Sequence, residues 1–229
     1  MKRNKLAHRL PGPVRRQVLH FEAAIEEAVR DFSASLPDGA LLLDAGAGES
    51  QYKPLFPRQR YIAIDLGVGD KEWNYSALDA VADLSALPLR DNVFDAAINI
   101  VTLEHVREPA RVLGEIARVL RPGARLLLVV PQEWEVHQEP YDYYRYTRYG
   151  VRYLLDRAGF VEVRVLAVGG FFRLLSRRLL NALQFFRGLW FLIALPLLAP
   201  PALMLPLFDS LDRERNFTLG YICTARKRS

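Results

Sequence analysis

The chain has 229 residues, 51% of them hydrophobic, which suits one large domain with an appendage better than two full domains. Its single cysteine, Cys223, excludes an internal disulfide framework and points to a reducing compartment. A net charge of +5 is gathered in patches, yet no recognition-helix, zinc-finger or RNA-binding signature accompanies them, so no nucleic-acid partner is expected.

The first patch opens the chain: Lys2, Arg3, Lys5, Arg9, Arg15 and Arg16. The segment lacks the apolar stretch of a secretion signal, and the expected location is the cytoplasm. From Val14 to about Leu36, apolar residues recur every three or four positions (Val14, Val18, Phe21, Ile25, Val29, Phe32), which predicts an amphipathic helix. After the punctuating "PDG", short apolar runs alternate with helical patterns. The runs are "ALLLDAG", "YIAID", "AVADL", "VFDAAINI" and "RLLLVVP". Between the last two lies "EPARVLGEIARVLRPG", a helix whose end is marked by Arg-Pro-Gly. A further helix, "TRYGVRYLLDRAGF", precedes the strand-like "VEVRVLAVGG", and "FTLGYICTARK" reads as a final strand. Continuous apolar strands alternating with helices predict an α/β fold, a doubly wound parallel sheet.

"LLLDAGAGES" sets Gly46 and Gly48 just after the first buried strand, where a backbone can turn sharply and approach a ligand. A dinucleotide fingerprint wants a third glycine at position 51, which is Gln51. Asp44 at the strand tip would repel a pyrophosphate and attract a cation, which favours S-adenosylmethionine with its sulfonium and ammonium groups. Asp65 ends the second strand, where it can accept both hydroxyls of a ribose. Asp83 follows the third and can accept from an adenine amine. Each acid alone reads equally as a cap or a solvated turn, but together they form one pocket at the carboxyl edge.

These stretches, with "ADLSALPLRDNVFDAAINIVTLEHVREPARVLGEIARVLRPGARLLLVVP" and "HQEPYDYYRYTRYGVRYLLDRAGF", resemble the class I S-adenosylmethionine-dependent methyltransferases of the type 11 group. The resemblance covers roughly residues 40 to 165. It implies a seven-stranded Rossmann-like sheet whose last strand is antiparallel and inserted beside the sixth. It also implies that Asp44, Ala45, Gly46, Ala47 and Gly48 form the loop under the methionine part of the cofactor. Asp65 and Leu66 would serve the ribose, Asp83 and Leu84 the adenine, and Ile100 would line the pocket. Ser50 stands where many members have a third glycine.

Candidates for the chemistry of the acceptor follow the fourth and fifth strands. "QEWEVHQEPYDYYRYT" supplies His137 as a base, with Tyr141, Asp142, Tyr144 and Arg145 to shape the substrate site. His105 in "TLEHV" is a second catalytic candidate, which reads more readily as a structural histidine fixing that loop. No cluster has the His/Cys spacing of a metal site, and no metal is expected.

Before the final strand lies "FFRLLSRRLLNALQFFR", with Arg173, Ser176, Arg177, Asn181, Gln184 and Arg187 on one helical face and apolar residues on the other. That is the pattern of an interfacial helix. Residues Gly188 to Phe208 then carry no charge and four prolines, which are expected to split the run into short helical pieces. The organisation expected is a basic segment and helix (1–36), a cofactor-binding core (37–170), a membrane-facing insertion (171–208) and a final strand with a basic tail (209–229). The function expected is methyl transfer, with O-methylation favoured, to a lipid-linked or amphipathic small molecule, by a protein peripheral on the inner face of the cell membrane. An NAD-binding oxidoreductase and a non-catalytic cofactor-binding recruitment protein are the alternatives.

Overall fold

The structure, a computed structural model, describes residues 12, 17–69 and 72–229. The basic cluster from Lys2 to Arg16, and the predicted helix start at Val14, lie outside the described residues. Helix α1 (His20–Ala34) buries Phe21, Ile25, Val29 and Phe32, the stripe its spacing predicts. Strands β1 (Leu41–Ala45), β2 (Arg60–Asp65), β3 (Ala80–Val81) and β4 (Phe94–Ile100) follow. Helix α2 (Pro109–Val119) starts with proline at its first position, where the missing N–H costs nothing. Strand β5 (Leu120–Pro131), helix α3 (Arg148–Arg157) and strand β6 (Phe160–Val168) complete the expected alternation. Strand β7 (Gly220–Lys227) closes it.

The seven strands form one sheet in the order β3-β2-β1-β4-β5-β7-β6, with β1, β2, β3, β4 and β5 parallel. The amide of Leu219 donates to Val168 and that of Arg228 to Gly159, so β7 runs antiparallel to β6. This is the insertion that the resemblance implies. Arg-Pro-Gly ends α2 as expected, but it does so inside β5, where the register against β4 slips between Phe94 and Ala96.

The described chain divides into two compact units. One holds Ile25–Leu166 and Tyr221–Ser229; the other holds Ala167–Gly220 and the described residues before Ile25. Within the second, helix α4 (Phe171–Ala182) leads to helix α5 (Leu189–Met204) and a 3-10 segment, Leu205–Leu211. The arm is tied at its base. Asp209 accepts from the amides of Gly170 and Arg173, and Asp212 from that of Phe171, so two acids cap the first turn of α4.

Two expectations for this arm are corrected. Pro196, Pro200 and Pro201 lie inside α5 without breaking it. They remove three backbone donors, and the remaining residues of the sixteen keep the helix continuous. The arginine face of α4 is also not free for headgroups. Arg173 pairs with Asp209 at 3.3 Å, Arg177 with Glu22 at 3.8 Å, and the Ser176 hydroxyl donates to the carbonyl of Ala202 at 2.5 Å. Polar side chains inside the arm find internal partners, because burial without one is costly.

Candidate functional site

Several residues at the carboxyl edge of β1 and β4 adopt left-handed backbone. Gly46 has φ +95° and Gly48 φ +51°. A Cβ on Gly46 would stand 2.2 Å from Thr102 Cγ2, and one on Gly48 3.1 Å from the Trp73 ring. Ser50 adopts φ +56°, so the residue in the place of a third glycine takes a glycine-like conformation. Val101 at φ +51° is strained for a β-branched residue and turns the chain so that Thr102 donates to the carbonyl of Gly46 at 3.1 Å. Buried Asn99 donates to the carbonyl of Ala45 at 2.6 Å.

Asp65 joins these parts. One carboxylate oxygen accepts from the Gly48 amide at 2.9 Å and the other from Gly67 at 2.8 Å. It is half-buried at the tip of β2, and each oxygen keeps a second lone pair for a ligand hydroxyl. Leu66 beside it is exposed, Ala45, Ala47, Leu84 and Ile100 are buried, and Asp83 lies in the turn after β3, accepting from the Ser85 amide. Trp73 was not singled out by the sequence; its indole packs over Gly48, and its ring centre lies 6.1 Å from that of Tyr75.

Asp44 is only 1% exposed, and its carboxylate accepts from the hydroxyl of Tyr61. Leu42 is the register partner of Tyr61, and Asp44, two residues on, projects from the same face of the sheet. Burial pushes Asp44 up from 3.8 to about 7; the Tyr61 bond opposes this and the Asp65 charge adds to it. A carboxyl whose pKa is raised on folding contributes stability below its unfolded value and loses it as the pH rises through the folded one. The Tm difference between Asp44→Asn and wild type is therefore expected to move in favour of the variant from about pH 4 to about pH 7 and then level off. A difference independent of pH would show that folding leaves the ionisation of Asp44 unshifted.

Residues 134–146 fold against the 3-10 turn Leu103–His105. The carbonyl of Glu104 accepts from the amides of Tyr143 and Tyr144, and the Tyr146 hydroxyl donates to Leu103. His105 Nδ1 lies 2.7 Å from the carbonyl of Tyr141, and the rings of His105 and His137 meet edge-on with centres 4.7 Å apart. Burial lowers both imidazoles, His105 to about 4, so both are neutral near pH 7. Burial pushes Glu104 up to about 8.

Of the four residues expected to shape the substrate site, Tyr141 and Tyr144 keep exposed rings. Asp142 and Arg145 face each other. They form a bidentate pair at 2.6 and 2.8 Å, and the guanidinium also donates to the carbonyls of Trp134, Glu135 and Tyr144. Burial opposes ionisation of Asp142, but the bonds from Arg145 and the His137 amide outweigh it and hold it at about 2. This pair is the clasp of the loop. Cys223 is buried and its thiol is pushed up to about 12, so it offers no nucleophile.

Residues 43–128 match a family model described as "Methyltransferase domain". Residues 43–128 form a methyltransferase domain, carried on a seven-stranded sheet with the strand order of the class I type. Its cofactor is S-adenosylmethionine, and the side-chain-free glycine turn beside the Asp65 carboxylate fits such a group.

The chain is 35% identical over 120 residues to a tRNA (carboxymethyluridine(34)-5-O)-methyltransferase of Arabidopsis thaliana, covering 48% of this chain and 28% of that protein. It is 31% identical over 96 residues to a malonyl-[acyl-carrier protein] O-methyltransferase of Hahella chejuensis, covering 38% and 34%. The match thus spans only 28% and 34% of the length of these relatives. In fold it is similar to the 1,6-didemethyltoxoflavin-N1-methyltransferase of Burkholderia thailandensis, with TM-score 0.59 and 22% identity over 93% of this chain and 82% of the other.

Proposed function

We propose that this chain methylates a hydroxyl of a lipid-linked or amphipathic small molecule at the cytoplasmic face of a membrane. The observation that carries the membrane reading is the arm between β6 and β7. Leu189, Trp190, Leu192 and Leu197 of α5 are 65–71% exposed. Apolar surface of that kind marks a contact with lipid or protein. Leu189–Leu211 is also long and apolar enough to cross a bilayer. Yet β6 and β7 are neighbours in one sheet, so the chain leaves and re-enters on the same side. A shallow seat in the interface reconciles the two. With Arg173 and Arg177 paired internally, apolar area contributes more to this seat than charge does.

When bound, S-adenosylmethionine supplies a methyl group on a sulfonium, released by in-line displacement. The protein's part is to align the acceptor and relieve its hydroxyl of a proton. His137 and His105, both neutral imidazoles near pH 7, are our candidates for the second task. The names of both curated relatives above specify transfer to oxygen, which supports oxygen as the atom methylated.

The protein is expected to float with vesicles of anionic phospholipid, and high salt should weaken this only in part. A variant with Gly188 to Phe208 replaced by a short polar loop should stay behind while still binding S-adenosylmethionine. Indifference to vesicles at every salt concentration would overturn the membrane reading. Protease access to the C-terminal tail from the far side of a sealed vesicle would make the arm a span. Incubation with methyl-labelled S-adenosylmethionine and either extracted lipid or tRNA tests the acceptor. Label is expected in the lipid phase; label in tRNA would reassign the acceptor to nucleic acid.

A further inference from the structure

We propose that Glu104, His105 and His137 form a binding site for a divalent transition-metal ion. Binding there does not depend on the methyl-transfer reading. One ligand atom from each of the three residues lies within 4.8 Å of the other two. Glu104 Oε1 and His105 Nε2 are 3.7 Å apart. A tetrahedral ion with ligands at ~2.1 Å spaces them by ~3.4 Å, so small side-chain rotations complete the set.

Three observations point to a cation. First, Glu104 is fully buried and neither carboxylate oxygen has a hydrogen-bond partner. His105 Nε2, also buried, has none either. Their separation is too long for a hydrogen bond between them. Each such atom costs ~1–3 kcal/mol when left unpaired, and here they converge on one point.

Second, the tautomers are set. A carbonyl oxygen only accepts, so the proton of His105 sits on Nδ1, facing Tyr141 at 2.7 Å, and Nε2 carries the lone pair. The same logic applies to His137, whose Nδ1 faces the carbonyl of Glu135 at 3.0 Å. Donation of the far ring nitrogen to a carbonyl is the usual support of a metal-binding imidazole.

Third, the nearby cation is already spent. Arg145 is close enough to lower the pKa of Glu104, but all five of its N–H groups are directed elsewhere: to Asp142, Trp134, Glu135 and Tyr144. The Arg145–Asp142 clasp instead fixes His137, whose amide donates to Asp142 at 2.8 Å.

Two imidazoles and one carboxylate select Zn²⁺, Co²⁺, Mn²⁺ or Fe²⁺ over Mg²⁺ and Ca²⁺, which take mostly oxygen. Three protein ligands leave a position open, as in catalytic rather than structural sites. Thr102, which bonds to the glycine turn, stands two residues before Glu104. If the methyl-transfer reading holds, an ion here would lower the pKa of an acceptor hydroxyl.

The test is Co²⁺ titration of the chelator-treated full chain, without S-adenosylmethionine, read by visible d–d absorption and by calorimetric competition with Zn²⁺. One ion per chain is expected. Glu104→Gln and His137→Ala should each weaken binding by at least ~100-fold, since even supporting residues cost 10–100-fold. His20→Ala, outside the cluster, should leave it unchanged. Circular dichroism checks that each variant folds, and if Glu104→Gln does not, His137→Ala decides. Absence of stoichiometric uptake, or uptake that survives a folded cluster variant, would overturn the site. Because no methyl donor is present, neither result bears on methyl transfer.

Discussion

Asp65→Ala is expected to weaken binding of S-adenosylmethionine by roughly 10²–10⁴-fold. The carboxylate stands at the tip of β2, and a ribose held there would receive two charge-assisted hydrogen bonds of ~1.5–3 kcal/mol each. The same oxygens receive the amides of Gly48 and Gly67, so the change also releases the glycine loop from the turn after β2. Asp65→Asn separates the two effects. It keeps a carbonyl acceptor for one amide but loses the charge, and should fall between wild type and alanine. Calorimetry with S-adenosylmethionine and its demethylated product gives the measurement, with NAD as the control that none of the three proteins should bind. Wild-type affinity in Asp65→Ala would leave the residue with a loop-fixing role alone.

Gly46→Ala should cost the domain both stability and cofactor affinity. The new Cβ would lie 2.2, 2.6 and 2.8 Å from Thr102 Cγ2, Oγ1 and Cβ. Thr102 is poorly placed to yield, because its hydroxyl bonds to the carbonyls of both Gly46 and Ile100. Overpacking of this sort costs ~1–3 kcal/mol, and a left-handed alanine adds ~1–2. Thr102→Ala in the same chain removes the two nearest atoms but not the backbone cost, so it should restore only part of the loss. Gly114→Ala is the control. Gly114 sits in α2 with nothing within 4 Å of its Cβ position, and alanine there should stabilise by ~1 kcal/mol. Denaturant melts of the four proteins provide the comparison, and an unperturbed Gly46→Ala would refute a close-packed turn.

Much of the fold could be read from local pattern. The runs "LLLDA", "YIAID" and "FDAAINI" are apolar because both faces of their strands are buried, and that requirement leaves its mark residue by residue. The α1 stripe and the glycine turn are legible for the same reason: period and φ are properties of a few consecutive residues. The position of Asp65 at the end of β2 was legible too, since the apolar run stops there.

What side chains meet after the chain returns was not legible. The partner of Asp44 was one such contact: the register of β1 against β2 sets the Tyr61 hydroxyl within reach of it. Asp142 and Arg145 looked like substrate groups, but they satisfy each other. Glu104 and His105 carry no metal-site spacing with His137, because the fold, not the sequence interval, brings β4 and β5 side by side. Arginines that alternate correctly for a headgroup-facing helix found Asp209 and Glu22 instead. The sequence by itself determined the strands, the helices and the glycine turn at their edge, since these follow from periodicity and backbone sterics. Only the tertiary structure decided the partner of each buried charge, because that pairing is a contest among groups far apart in sequence, won by whichever one the packing brings within 3 to 4 Å.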